Sequence, residues 1–247
     1  MKKIFLISII SITLTSCTDL MDLITKSTTV SDAENISGLK SSLNIGIEEA
    51  VKTLGVENGF FNDAALKLLL PPEAKPIIDN IVLIPGGQDL VNKAVLSLNR
   101  SAEDAVKEAT PIFKTAITNM SITDAISILF GNDDAATEYL RQNTYSQLRD
   151  AFAPKIKTSL DKPLVANIST NQTWNTLSSA YNSVAGTTIG SIAGLKTVNV
   201  SLENYATEKA LDALFVKVAV EEKAIRTDPV ARVSDLLQKV FGQLDKK

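Results

Sequence analysis

The chain has 247 residues, a formal net charge of −3, one cysteine and no histidine. These counts exclude Ser-His and Cys-His nucleophile systems, histidine-ligated zinc or iron sites, an internal disulfide and multi-cysteine metal sites. The slightly acidic charge gives no overall attraction to nucleic acid, so no such partner is expected, while 45% hydrophobic residues suffice for a buried core.

Residues 1–17 have the pattern of an export signal that ends in a lipid attachment site. Two lysines precede an apolar segment over residues 4–14, whose helical rise of about 16 Å is half of a ~30 Å hydrocarbon core. Residues 14–17, Leu-Thr-Ser-Cys, resemble the bacterial lipobox, in which the cysteine is lipidated and becomes N-terminal after cleavage. We therefore expect residues 1–16 to be a lipoprotein signal peptide and Cys17 to carry the lipid.

The residues that follow Cys17 are polar, rich in Ser and Thr, and weakly patterned. We expect residues 17–30 to be a flexible tether and residues 31–247 to form a single α-helical domain. Thr18, rather than an aspartate, follows the cysteine. By resemblance to the usual sorting pattern, this favours the periplasmic side of the outer membrane, with the lipid as the contact to the bilayer.

From residue 31 onward, apolar residues recur at intervals of three and four, which is the helical period. The first helix is predicted to open with a capping box at Ser31 and Glu34 and to stop at Gly55. A long helix follows the Pro-Gly-Gly break at 85–87. Ser121 and Asp124 then predict the cap of a short helix.

In the second half, the pattern predicts a helix from 133 that is interrupted near Pro154, and a strong helix over 202–226. Asp228 and Pro229 predict the start of a last helix that ends at Gly242. The glycine-rich and β-branched segment 185–200 favours an irregular loop or a short hairpin. The expected fold is all-α, an irregular multi-helix bundle with one short β hairpin or loop near 185–200.

Seven segments in a fixed order carry a resemblance to a known family. They are Asn-Arg-Ser-Ala-Glu at 99–103, Ala-Thr-Pro-Ile-Phe at 109–113, Met-Ser-Ile-Thr-Asp-Ala at 120–125, Gly-Asn-Asp-Asp-Ala-Ala-Thr at 131–137, Lys-Ala-Leu-Asp at 209–212, Glu-Glu-Lys-Ala-Ile-Arg at 221–226 and Asp-Pro-Val-Ala-Arg at 228–232. The chain thereby resembles a family of bacterial envelope lipoproteins known only as domain of unknown function 4197. The resemblance implies an exported, helical, lipid-anchored protein and transfers no activity.

Two acidic groups are candidate sites. Asp133 and Asp134 could offer oxygen ligands to a cation, but the spacing is not that of an EF-hand, and an N-cap against a helix's positive end is favoured. Glu221 and Glu222 could do acid–base work if burial separated their pKa values, but adjacent residues point about 100° apart on a helix. The favoured interpretation is a solvated face on which Glu222 pairs with Arg226.

A third polar group interrupts the long apolar helix after residue 90. Asn99, Arg100 and Glu103 lie there, and Arg100 is expected to bridge to a carboxylate such as Asp133 or Glu221. A clamp that fixes how helices cross is favoured over a ligand site.

Three functions remain open. The leading hypothesis is a non-enzymatic envelope protein that binds a protein partner or supports the envelope, with no cofactor and no metal site. The second is a carrier or sensor of an apolar ligand in a helical cavity. The third is a metal-dependent hydrolase built on Asp133, Asp134, Glu221 or Glu222, which requires at least two of these side chains to converge.

Overall fold

A computed structural model describes residues 30–246, so the predicted signal peptide, Cys17 and nearly all of the predicted tether lie outside the described residues. Within 30–246 the secondary structure consists of ten α-helices with short 3-10 turns between them and no β-strand. The helices are α1 (Asp32–Leu54), α2 (Lys75–Asp79), α3 (Gly87–Ala105), α4 (Thr110–Thr118), α5 (Ile122–Leu129), α6 (Ala135–Asp161), α7 (Thr170–Ala185), α8 (Thr188–Ile192), α9 (Leu202–Thr227) and α10 (Asp235–Phe241). The all-α prediction is confirmed.

Several predicted helix ends are found as expected. Ser31 accepts a hydrogen bond from the Glu34 backbone N–H while the Glu34 carboxylate accepts from the Ser31 N–H, which is a complete capping box. Gly55 ends α1, and Ser121 caps α5 by accepting from the Asp124 N–H. Local side chain-to-backbone bonds need only neighbouring residues, which is why the sequence predicts them well.

Two local predictions are wrong, and the one for 185–200 is met in part, because that segment is irregular apart from one short helix and forms no hairpin. Helix α6 continues through Pro154, which lies on its exposed face, so the missing backbone donor affects only solvent-facing carbonyls. Segment 185–200 contains the short helix α8, and the extended stretch after it is held to α7, where Asn182 bonds the N–H and carbonyl of Val198. Asp228 caps only a 3-10 turn, and the last helix starts later, capped by Ser234.

Helices α1 and α9 form an antiparallel pair at the centre of the bundle. Gly46 of α1 lies against Glu221 of α9, and the start of α1 and the end of α9 both contact α10, through Gly38 and Arg226. Helix α6 packs along α9, and α3 packs along α7. We call the region of the first turns of α1, the last turns of α9 and α10 the N-terminal end of the domain.

Aliphatic and aromatic side chains from most of the helices form one continuous core cluster among the described residues. Phe215 of α9 belongs to this cluster, in a T-shaped contact with Phe113 of α4, with ring centroids 5.4 Å apart, and stacked on Tyr145 of α6 at 6.1 Å. Over residues 30–246, no helix combines the length and the hydropathy needed to cross a bilayer.

Candidate functional site

Glu222 of α9 is buried and serves as the anion at the start of a different helix. One carboxylate oxygen accepts from the Ala136 N–H at 2.9 Å, and the other accepts from the Thr137 N–H at 2.8 Å and the Thr137 hydroxyl at 2.7 Å. The first N–H groups of a helix have no partner inside the helix and form its positive end. Glu222 therefore caps α6 from across the bundle.

Arg226, one turn later on α9, neutralises Glu222 and caps a third helix. Its guanidinium donates to Oε1 of Glu222 at 2.8 and 2.9 Å and to the carbonyls of Leu129 and Ile128, at the end of α5, at 2.7 and 3.0 Å. Both side chains of the pair are 3% exposed. The pair joins α9 to the end of α5 and the start of α6, and the expectation of a solvated Glu222–Arg226 face is wrong.

The neighbouring acidic candidates lie outside this buried pair. Asp134 occupies the N-cap position of α6, but its side chain makes no capping hydrogen bond. Asp133 is exposed and forms an ion pair with Lys223 at 3.4 Å. Glu221 is half-buried, and desolvation together with the charge of Glu49 raises its pKa. The predicted position of the cap is correct, but the capping carboxylate is Glu222.

Asn99, Arg100 and Glu103 lie elsewhere, between α3 and the long connection that follows α1. Asn99 accepts from the Leu68 N–H at 2.9 Å and donates to the Leu68 carbonyl at 2.7 Å. Glu103 accepts from the backbone N–H groups of Phe60 and Phe61 at 3.2 and 3.3 Å. In a helix or a sheet, the backbone N–H and carbonyl groups of such a segment would bond to other backbone groups. Here the side chains of Asn99 and Glu103 replace those partners and hold the irregular segment in place.

Arg100 completes this second network with partners that the sequence did not predict. It donates to Glu103 at 2.6 Å, to Glu57 at 3.2 Å and to the side-chain oxygen of Asn58 at 2.9 Å. Asn58 has a backbone φ of 69°, a conformation rare for residues other than glycine, and this contact helps to hold it. The predicted bridge from Arg100 to Asp133 or Glu221 is wrong, whereas a clamping role fits the contacts.

Five of the eight candidate polar residues thus belong to two networks in different parts of the bundle, and Asp133, Asp134 and Glu221 belong to neither. Both oxygens of Glu222 accept hydrogen bonds from backbone N–H groups, a hydroxyl or Arg226. These bonds occupy the lone pairs that a substrate or a metal would use. Among the described residues, no three His, Cys, Asp or Glu side chains lie close enough to hold a metal ion. Of the four carboxylates in the hydrolase hypothesis, Asp133 and Asp134 line one surface concavity, whereas Glu222 is buried with Arg226 and Glu221 is outside that lining.

A surface concavity over the start of α6 does include Asp133 and Asp134. It has a volume of about 870 Å³, and Arg141 lies on its floor, with its guanidinium carbon 4.5 Å from the centroid of Phe215 and an ion pair to Asp212 at 2.9 Å. Arg141 is therefore held by an aromatic ring and a carboxylate. This concavity is open, and four of its five charged lining residues form ion pairs: Asp133 with Lys223, and Arg141 with Glu138 as well as with Asp212.

A second concavity, the α4–α6 groove, has a different chemistry. It has a volume of about 640 Å³, within the range of ligand sites, and none of the residues that line it is charged. The lining residues are Pro111, Ile112, Thr115, Ala116, Asn119, Met120, Tyr139, Asn143, Thr144, Gln147, Leu148 and Ala151.

Small side chains create the α4–α6 groove. Ala116 on α4 and Ala151 on α6 leave the space, while the buried Met120 and Leu148 form an apolar floor. Thr144 donates its hydroxyl to the Leu140 carbonyl within its own helix, and the Tyr139 hydroxyl donates to Asp124 at 3.0 Å. Burial and the Asp124 carboxylate raise the pKa of Tyr139, so its hydroxyl stays protonated as this donor. Asn119, Asn143 and Gln147 form a polar but neutral rim.

The sequence did not predict this groove. Its residues come from two helices whose facing sides are set by tertiary packing, and alanine or threonine at single positions is common on any helix. The sequence did contain one signal, which is an uncharged face on each of the two helices. Its meaning depends on the two faces lying opposite each other, and the sequence of a single helix does not show this.

Comparison with known proteins gives one match. The model of a family described as "Protein of unknown function (DUF4197)" matches residues 29–242 of this chain. A search of curated proteins and a search of solved structures gave no match. Because the matched region covers most of the chain, the chain belongs to the DUF4197 family.

Proposed function

We propose that this protein is an envelope lipoprotein, anchored through Cys17 on the periplasmic side of the outer membrane, whose helical domain acts by binding rather than by catalysis. The anchor is inferred from the pattern of residues 1–17. At the start of the described residues, Val30 is half-buried and Ser31 is exposed, so a tether from Cys17 meets the domain at its surface.

The binding assignment is carried by the way the buried charges are used. The polar atoms of Glu222, Arg226 and Glu103 are bonded to backbone groups, to each other, or to the side chains of Thr137 and Arg100. A catalytic acid or base must be able to reach a substrate proton. What remains for function is surface shape, which favours recognition of a partner.

The anchor is tested by feeding cells an alkyne-labelled palmitate. The wild-type protein and a Thr18→Ser control should take up the label and fractionate with outer membranes, whereas Cys17→Ala should take up none and lose membrane association. Two acyl chains hold a protein to a bilayer far more firmly than one, so the difference between the fractions should be nearly complete. Equal labelling of wild type and Cys17→Ala would contradict the proposal.

A second candidate function, a carrier or sensor of an apolar ligand, is favoured by the α4–α6 groove. Ligand pockets are mostly apolar, with a few polar groups that set orientation, and the groove matches this in size and in the absence of charge. Its open side suits a ligand that exposes one edge to water.

The groove is tested with a fluorescent fatty acid as a probe. Ala116→Trp places an indole in the groove and should weaken probe binding at least about tenfold, since an occluded site loses well over 1.4 kcal/mol of binding free energy. The control is Gln142→Trp, at an exposed position of α6 outside the groove lining, which should bind as wild type does. Loss of binding in both variants, or in neither, would exclude this site.

A further inference from the structure

The later part of α3 contacts the connection that follows the C-terminal end of α1, so the start of α3 and the end of α7 lie away from the N-terminal end. This far end carries strongly exposed aliphatic side chains. Val82 is 88% exposed, Ile189 is 80% exposed and Ile192 is 83% exposed, and Ile78 and Leu83 are close to half-exposed. Val230 and Val233, between α9 and α10, are 86% and 71% exposed, but they lie among the charged residues Asp228, Arg232 and Asp235. Single exposed apolar residues are ordinary on protein surfaces, but a contiguous group marks an interaction site.

The contacts of α3 and α7 bring these residues together. The Thr170 hydroxyl donates to the Ser97 carbonyl and shares a hydrogen bond with Ser101, which places the first turn of α7 beside the second half of α3. Since α3 and α7 pack along each other, and the 3-10 turn Ile81–Leu83 contacts both, that turn meets the later part of α7. Helix α8 begins two residues after α7 ends, so it lies at the same end.

This end is also free of charge. We call residues 80–88 and 182–195 the distal tip, and neither segment contains Asp, Glu, Lys or Arg, although Asp79, Asp89 and Lys196 flank them. The rest of the tip consists largely of Gly, Ser, Thr, Ala and Asn. A surface of protruding aliphatic side chains without charges can enter the boundary region of a bilayer, where a charge would be costly.

We propose that the distal tip docks onto the lipid bilayer to which Cys17 is anchored. This inference rests on the proposed lipid anchor. If the 13 residues after Cys17, Thr18 to Val30, form the expected tether, they span about 20 Å as a random chain and at most about 45 Å when extended. Helix α9 is about 39 Å long. A domain tethered this closely can lie on its side and bring its far end to the same bilayer.

The tether also explains why the bilayer, rather than a protein, is the occupant. Tethering turns contact of the tip with the membrane into an intramolecular event with an effective concentration of the order of millimolar. A protein partner would need a surface complementary to side chains that are 80% or more exposed, whereas acyl chains adapt to any apolar shape. A weak apolar tip on an anchored domain therefore meets lipid first, and the domain has two attachments.

The test uses the full-length protein, purified from membranes and reconstituted in phosphatidylethanolamine–phosphatidylglycerol vesicles. Lipidation consumes the thiol of the chain's one cysteine, so Val82→Cys and Ile192→Cys each provide a single site for an NBD fluorophore. Both positions should show a blue shift, protection from iodide and quenching by doxyl-labelled lipid. The control, Gln142→Cys, is exposed on α6 and should keep the emission of NBD in water.

Palmitate labelling of the same proteins in cells, before purification, distinguishes failure of the tip proposal from failure of the lipid anchor. If Cys17 takes up palmitate and the protein is bound to vesicles while positions 82 and 192 stay accessible to iodide, the tip proposal is overturned and the anchor stands. Protection without quenching by doxyl lipid, together with disulfide-linked dimers when the unlabelled Val82→Cys and Ile192→Cys proteins are treated with an oxidant, would assign the tip to a second copy of the chain and also overturn it. If Cys17 takes up no palmitate, the anchor and the inference resting on it both fall.

Discussion

At the scale of single residues, Glu222 illustrates why a charged pair on a helix cannot be placed from its spacing alone. The i, i+4 spacing to Arg226 is typical of exposed pairs. However, Leu211, Phe215, Val218, Glu222 and Ile225 are spaced by four, three, four and three residues, and all five are buried. Glu222 thus occupies a core position in the apolar stripe. The apolar spacing around Glu222 therefore indicated a buried position. The rarity of buried carboxylates in proteins led to the prediction of an exposed one.

We predict that Glu222→Leu destabilises the protein by about 3–5 kcal/mol, because it leaves Arg226 buried without a counter-charge and the first N–H groups of α6 without an acceptor. The measurement is equilibrium urea unfolding. The double variant Glu222→Leu with Arg226→Met should lose less than the sum of the two single changes, since it removes both charges. A loss below about 1 kcal/mol for Glu222→Leu would contradict the buried pair.

Glu221, the adjacent residue, should behave in the opposite way. Burial and the nearby Glu49 raise its folded pKa above the ordinary value, so the stability lost to its ionisation develops between the ordinary and the folded pKa and is complete above the folded pKa. Glu221→Gln should therefore stabilise the protein at pH 7, by about 0.5 kcal/mol for this half-exposed site. Below the ordinary value of 4.5, where Glu221 is protonated in both states, the gain should vanish. Urea unfolding at pH 7 and pH 4 compares the two, and a gain independent of pH would count against this cause.

At the scale of helices, the outcome of each prediction depended on how local its cause is. The caps at Ser31 and Ser121 involve residues three apart, and they were predicted. The continuation of α6 through Pro154 depends on Phe152 and Ile156 being held in the core on the other face, which outweighs the lost hydrogen bond. A pattern over a few neighbouring residues does not predict tertiary contacts of this kind.

The seating of α10 against α1 depends on a glycine. A Cβ atom at Gly38 would lie 2.6–2.9 Å from the side chain of Val240, whereas one at Gly46 on the same helix would lie 3.4 Å from Glu221, an ordinary contact. At the start of α1, Lys239 also pairs with Glu34 at 2.5 Å and holds the pKa of Glu34 at about 2. The α1–α10 contact is therefore close and specific at Gly38.

Gly38→Ala should destabilise the domain by about 1–3 kcal/mol through overpacking, even though alanine is the better helix former. Gly46→Ala is the matched control and should be neutral or stabilise by up to about 1 kcal/mol. Hydrogen exchange should show faster opening of residues 235–241 in Gly38→Ala only. Equal behaviour of the two variants would mean that α10 does not depend on this contact.

At the scale of the whole molecule, the sequence predicted the helical class and the family, and it did not predict the surfaces. The α4–α6 groove and the distal tip each join segments far apart in the chain, at positions 111–151 and at 80–88 with 182–195. Their shape depends on how long helices cross, which single-helix patterns do not determine. With the proposed lipid at the N-terminal end, these surfaces fit the proposal of a domain that lies on a membrane and exposes a neutral groove.

The most direct test of this account is intact mass spectrometry of the protein extracted from envelope membranes, with fragmentation of its N-terminus. The proposed anchor requires a chain that begins at Cys17 and carries a thioether-linked diacylglyceryl group. A mature chain that begins at any other residue, or one with an unmodified Cys17 thiol, would contradict it.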